Sequence, residues 1–136
     1  PVAVAVGEGS VWVAHALGKT IWRVDPVTLE KTTEVSLRDA PTAIALGFGR
    51  LWVTSSAGGA VTAIDAATNG LVATIPLALE PRGIAAGPDT VWVACGGDAL
   101  VRIDPDARSA SEPTELPGPA EGVAVSGGDV WVTVQQ

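Results

Sequence analysis

The sequence predicts an all-β fold built from repeated, four-stranded antiparallel sheets, and three observations carry that prediction. Tryptophans Trp12, Trp52, Trp92 and Trp131 recur 40, 40 and 39 residues apart. Each sits inside an aliphatic stretch: VWVA, LWVT, VWVA and VWVT. Aspartates Asp25, Asp65 and Asp104 keep the same step, one residue short before the third. A fixed period of about 40 residues marks a repeat architecture in which each unit is one supersecondary element. Aligned on the tryptophans, the 136 residues read as a single repeat domain, with units at 1–40, 41–80 and 81–119 and half a unit at 120–136.

Each unit carries four strand signals. The first is AVAV at Ala3 to Val6, matched by AIAL at Ala43 to Leu46. Alanines occupy one face, while Val4, Val6, Ile44 and Leu46 occupy the other. Strict alternation with a small-residue face suits an inner strand crowded around an axis. A tight turn containing Gly7 and Gly9, or Gly47 and Gly49, leads into the second strand.

That second strand holds the tryptophan. Val11 and Val13 point one way and Trp12 and Ala14 the other, so both faces are apolar and both must be covered. The tryptophans are therefore expected to wedge between neighbouring sheets, each burying on the order of 200 Å². Trp12, Trp52 and Trp92 should be mostly buried, and Trp131, in the half unit, should depend on a neighbour for cover.

The third strand, TIWRVDP in the first unit, ends at an aspartate that opens a DPVT, DAAT or DPDA turn. An aspartate at the first turn position accepts backbone N–H bonds, and Pro26 and Pro105 pre-set the next φ. A metal site would need Asp25, Asp65 and Asp104 to converge, and the repeat keeps them apart. The fourth strand (TTEVSL, ATIPL) is more polar and contains Pro76, with Pro113 in the third unit. Proline removes a ladder donor and is tolerated chiefly at an edge, which puts this strand outermost.

Four-stranded sheets that are apolar on both faces and repeat every ~40 residues describe the blades of a β-propeller. About three and a half blades, or fourteen strands, are expected. Helical repeats would need apolar residues at helical spacing, and the Gly-rich, β-branched segments lack it. A flat solenoid is the weaker structural alternative.

Composition narrows the partners. Fifteen acidic against eight basic residues give a net charge of −7, with no Lys/Arg stripe to reverse it locally. Such a surface repels phosphate backbones, so no nucleic-acid partner is expected. Although 47% of residues are hydrophobic, no apolar run reaches the ~18 residues of a membrane span, and no membrane insertion is expected. Cys95 is the only cysteine, which excludes an intrachain disulfide and a cysteine-based metal cluster and leaves the compartment open. The sequence starts at Pro1 and has no Met, which reads as a processed or partial chain.

The pattern P-x-x-I-A-x-G-x-G-x-L-W-V, followed by V-x-x-I-D-x-x-T and T-I-P-L, resembles bacterial propellers of the YVTN/NHL-like, streptogramin-lyase-like group over essentially the whole chain. The resemblance implies the fold and says little about activity, because such propellers act as sensors, scaffolds, binding modules and occasional enzymes. The lyase family's site uses magnesium with histidine and glutamate residues. His15 is the only histidine here, so no catalytic residue, metal or cofactor is carried over. The Gly-His and Trp-Asp signatures of WD40 propellers are absent.

In a four-stranded blade the second-to-third and fourth-to-first loops emerge on one face, the usual place for ligands. The first class supplies His15 and Lys19, Ser55 and Ser56, then Cys95 and Asp98. The second supplies Arg38 and Asp39, Glu80 and Arg82, and Glu121. These eleven positions vary between copies whose frameworks agree. Taken singly, each has a plainer reading: His15 as surface, Cys95 as a small buried thiol, the serines as loop polarity, the charges as rim ion pairs. The expected function is a non-catalytic interaction or ligand-sensing module; the alternative is a fragment of a streptogramin B lyase-like, metal-dependent enzyme. An open arc of blades exposes the apolar faces of its end sheets, which predicts self-association, as a dimer closing a ring, or further blades of a longer chain.

Overall fold

A computed structural model describes residues 1–126 and 128–134, so Gly127 of the last hairpin and the terminal Gln135 and Gln136 lie outside the described residues. The described residues form strands and turns throughout. Sheet 1 is β1 (Ala3–Gly7), β2 (Ser10–His15), β3 (Thr20–Val24) and β4 (Lys31–Ser36), paired in chain order. Sheet 2 repeats it with β5 (Ala43–Gly47), β6 (Arg50–Ser55), β7 (Ala60–Asp65) and β8 (Leu71–Pro76). Sheet 3 contains β9 (Pro81–Ala86), β10 (Val91–Cys95), β11 (Ala99–Asp104), β12 (Ser109–Ala110) and β13 (Thr114–Glu115), and sheet 4 contains β14 (Ala120–Ser126) and β15 (Asp129–Val134). The result is an all-β fold of partial propeller blades, as the repeat predicts.

Fifteen strands replace the expected fourteen because the outer strand of sheet 3 is split. β12 and β13 both pair with β11, and Pro113 lies between them. Proline has no N–H for the ladder, so pairing lapses there and resumes after it.

Successive first strands lie side by side, β1 against β5, β5 against β9 and β9 against β14, which makes them the inner strands. Alanine and glycine permit that approach. A β-carbon on Gly83 would come within 2.7 Å of the Glu121 carbonyl oxygen and 2.8 Å of Gly122 Cα. The first hairpin turns at Glu8 and Gly9, both at positive φ (53° and 69°), and the second repeats this at Phe48 and Gly49. Two left-handed residues match the twist of the flanking strands, which explains the glycine at the second position.

The core lies between sheets. Trp12, Ala14 and Ile21 of sheet 1 pack on Ile44, Leu51, Val53 and Ile64 of sheet 2. Trp52, Val61 and Ala63 of sheet 2 pack in turn with Ile84, Val91, Val93, Val101 and Ile103 of sheet 3. Trp12 and Trp52 are fully buried, and their indole N–H groups donate to the carbonyls of Gly7 and Gly47 at 3.3 and 3.0 Å. The expectation for Trp92 needs correcting: it is only half-buried. Sheet 4 offers it two strands, whereas Trp12 and Trp52 each meet a sheet with a third strand that contributes Ile64 or Ile103. Trp131, on sheet 4, is 65% exposed.

Candidate functional site

The aspartates that end the third strands shape turns. Asp25 Oδ1 accepts the N–H of Val27 (2.8 Å) and Thr28 (3.1 Å), Asp65 those of Ala67 and Thr68, and Asp104 those of Asp106 and Ala107. These bonds hold the Asp25 and Asp104 carboxyls below their ordinary range, since they favour the charged form. Each carboxylate serves its own turn, on the side opposite the candidate loops.

On the candidate face, loops of adjacent sheets meet. The Asp39 carboxylate, in the sheet 1 to sheet 2 connection, lies over Gly58 in the β6–β7 loop so closely that a β-carbon there would have to displace it. Ser55 Oγ accepts the Gly58 N–H at 3.1 Å. Arg38, Asp39, Ser55, Gly58, Thr62 and Thr74 contribute to the wall of a cleft of about 510 Å³ between the sheet 1–2 connection and sheet 2. This is the largest described cavity holding several of the sequence-selected residues. Its wall mixes a cation, a carboxylate and hydroxyls with Leu37, Val53 and Leu71.

Further round the face, Ser56 Oγ donates to the Pro81 carbonyl at 2.6 Å and accepts a bond from Thr42 Oγ1 at 3.1 Å. Arg82 pairs with Glu121 of sheet 4 and lies 3.7 Å from Glu80, and its guanidinium also covers Gly96. Glu80, Arg82 and Glu121 thus form one network bridging sheets 3 and 4. Arg38 and Asp39 share the cleft wall without such an ion pair among the described residues.

The remaining selected residues lie apart. Lys19 and Asp98 hold left-handed turn positions, φ 53° and 65°, with exposed or half-buried side chains. His15 lies against Trp22 in a tilted contact with ring centroids 4.3 Å apart, on the outward face of sheet 1. Cys95 is fully buried in the core between sheets 2 and 3, and burial pushes its thiol up to about 11. A thiol so placed is protonated at neutral pH and is a poor nucleophile. His15 and Cys95 lie on sheets 1 and 3, with sheet 2 between them, so the two make no dyad.

Sequence reasoning passed over Arg23. Its guanidinium lies 4.5 Å from the Trp12 ring centroid and donates to Ser10 Oγ, to Asn69 Oδ1 at 2.9 Å, and to the Ala66 carbonyl on sheet 2. Arg23 is the cross-strand partner of Trp12, so strand alternation puts both on the same face. That pairing is the signal that would have found it.

No family model matches this chain, and no curated protein matches it either. Solved structures do. It is similar to hydrazine synthase from Kuenenia stuttgartiensis, with a TM-score of 0.85 and 22% identity over 93% of this chain and 39% of that one. It is similar to BamB from Moraxella catarrhalis (TM-score 0.80, 13% identity, 96% and 39%). It is also similar to the WD40 repeats of RRP9 (TM-score 0.81, 9% identity, 90% and 41%). At such identities the likeness is one of fold: a β-propeller arc that spans less than half of each of these neighbours.

Proposed function

We propose that this chain is a non-catalytic β-propeller interaction module, related to the YVTN/NHL-like group, that takes a small molecule or protein segment on its loop face. The observation that carries the reading is the cleft of about 510 Å³ in which Arg38, Asp39 and Ser55 come together. Apolar walls with a few convergent polar groups are what ligand sites generally require. Those polar groups differ from repeat to repeat, whereas the inner strands and the tryptophan strands beside them keep one pattern. Specificity is thereby carried by loops on a constant scaffold.

Backbone NMR of the 136-residue chain, titrated with a library of small zwitterionic and anionic metabolites and short acidic and basic peptides, tests it. Shifts confined to residues 37–39, 53–62 and 71–76, lost in the Arg38→Ala, Asp39→Ala double variant, are expected. A library without any such shifts sinks the reading. Turnover of streptogramin B, with and without magnesium, is expected to be absent. Activity abolished by His15→Ala would replace the binding module with the enzyme.

A further inference from the structure

The junctions between sheets 1 and 2 and between sheets 2 and 3 are one kind of joint. The tryptophan face of one sheet seats on the aliphatic face of the next: Trp12 on Ile44, Leu51 and Val53, then Trp52 on Ile84, Val91 and Val93. Each half of that joint also occurs once without its mate. Sheet 1 presents Val4 and Val6, 62% and 75% exposed, beside Val11 and Val13, the repeat equivalents of Ile44, Leu46, Leu51 and Val53. Sheet 4 presents Trp131, 65% exposed, the repeat equivalent of Trp12 and Trp52. We propose that a second copy of this chain closes the array, the Trp131 face of each copy stacking on the Val4, Val6, Val11 and Val13 face of the other.

Polar details fit the same joint. Thr54 Oγ1 accepts the Ala43 N–H at 3.1 Å, and its single O–H faces the Arg82 carbonyl of the next sheet at 2.8 Å, nearer than the Ala43 carbonyl at 3.3 Å. Thr133, its repeat equivalent, makes the same two bonds to Gly122, at 2.9 and 3.4 Å, and is otherwise exposed. The repeat equivalent of Arg82 is Val2, at the edge of the open aliphatic face, so on closure the Thr133 O–H turns from the distant Gly122 carbonyl to the Val2 carbonyl of the other copy. On that open face, His15 Nε2 is buried with no hydrogen-bond partner, beside Trp22. Serine and cysteine occupy the equivalent positions 55 and 95, where a sheet already covers them.

The joint is head-to-tail, and such an interface gives a closed ring when the rotation closes and open filaments when it does not. Two copies together hold six full blades and two two-stranded half blades, within the ~4–8 blades at which propellers close. Closure by two copies removes both apolar end faces, which soluble monomers rarely leave uncovered.

Sedimentation equilibrium of the 136-residue chain at micromolar concentration should give twice the 13.7 kDa chain mass. Trp131→Glu and Val4→Glu should each give a folded monomer, with unchanged β circular dichroism, because both positions are exposed in the separate chain. Mixing the two variants should restore a weaker dimer, since each keeps the half-joint that the other lacks. If Val4→Glu does not fold, Val6→Lys takes its place. A folded wild-type monomer, a dimer indifferent to both changes, or no recovery on mixing overturns the proposal. A symmetric Trp131-to-Trp131 contact would instead leave Val4→Glu dimeric while Trp131→Glu is a monomer, and that result overturns the proposal too. A longer parent chain that is monomeric, its own further blades covering both faces, overturns it as well.

Discussion

Trp52 and Trp131 occupy the same place in the same strand motif, yet one is fully buried and the other 65% exposed. Between them stands Trp92, half-buried against a two-stranded sheet. The gradient teaches that burial in this fold is a property of the neighbouring sheet. A repeat supplies half of each joint, and the following repeat decides what that half is worth.

The most severe way to break the contrast is Trp52→Ala. It should cost about 3–5 kcal/mol, as large aromatic-to-alanine changes in closed cores do, whereas Trp92→Ala should cost less than half of that. Urea denaturation of both variants makes the check, and equal losses would show that the following sheet does not set the value. Arg23→Ala should cost about 1.5–3 kcal/mol, the range for hydrogen bonds to charged groups. The loss should appear at the sheet 1–2 junction, read as increased amide exchange in residues 3–24. Trp131→Ala should change stability by less than about 0.5 kcal/mol at dilutions where copies are separate, in keeping with surface substitutions. At concentrations where copies associate, its penalty should grow.

Positions 15 and 95 give the mildest version of the comparison. Cys95 should react with a maleimide at least roughly ten-fold more slowly than a cysteine introduced by His15→Cys with Cys95→Ser, since reactivity follows exposure and thiolate fraction. Its folded thiol, at about 11, lies above the ordinary value of 9.0. Folding therefore holds the proton more tightly, and the associated stability is intact below pH 9 and declines as pH rises towards 11. Thermal melts of wild type and Cys95→Ser between pH 8 and 11 should diverge in that window.

The sheets were legible because their determinants are local. Alternation in AVAV and AIAL marks the inner strands, paired glycines mark the hairpins, and Asp25, Asp65 and Asp104 mark turns through bonds two and three residues away. Trp92 was misjudged because its cover comes from a different repeat, which strand alternation does not report. Pro113 identified an edge, but not that pairing would resume after it at Thr114. On the loop face, Ser55 and Ser56 read as loop polarity, and their hydroxyls turn out to bond backbone at Gly58 and Pro81. Arg82 and Glu121 are far apart in sequence and meet only because β9 and β14 adjoin. Long-range pairing of that kind leaves no trace in a single repeat.

The side-by-side order of the inner strands also bears on how the chain folds. Every strand bonds to one adjacent in sequence or to the strand just beyond, and every sheet rests on the next, so loops to be closed before packing begins are short. Such quasi-one-dimensional arrays start anywhere and grow by neighbours. The sheet 2–3 junction, with the larger buried cluster, is the natural starting point. Sheet 4, with two strands and an exposed tryptophan, should be the last to settle and the first to open. Native-state hydrogen exchange should then rank the amides accordingly: slowest in β6, β7 and β10, fastest in β14 and β15, with opening that travels inward from the fourth sheet one blade at a time.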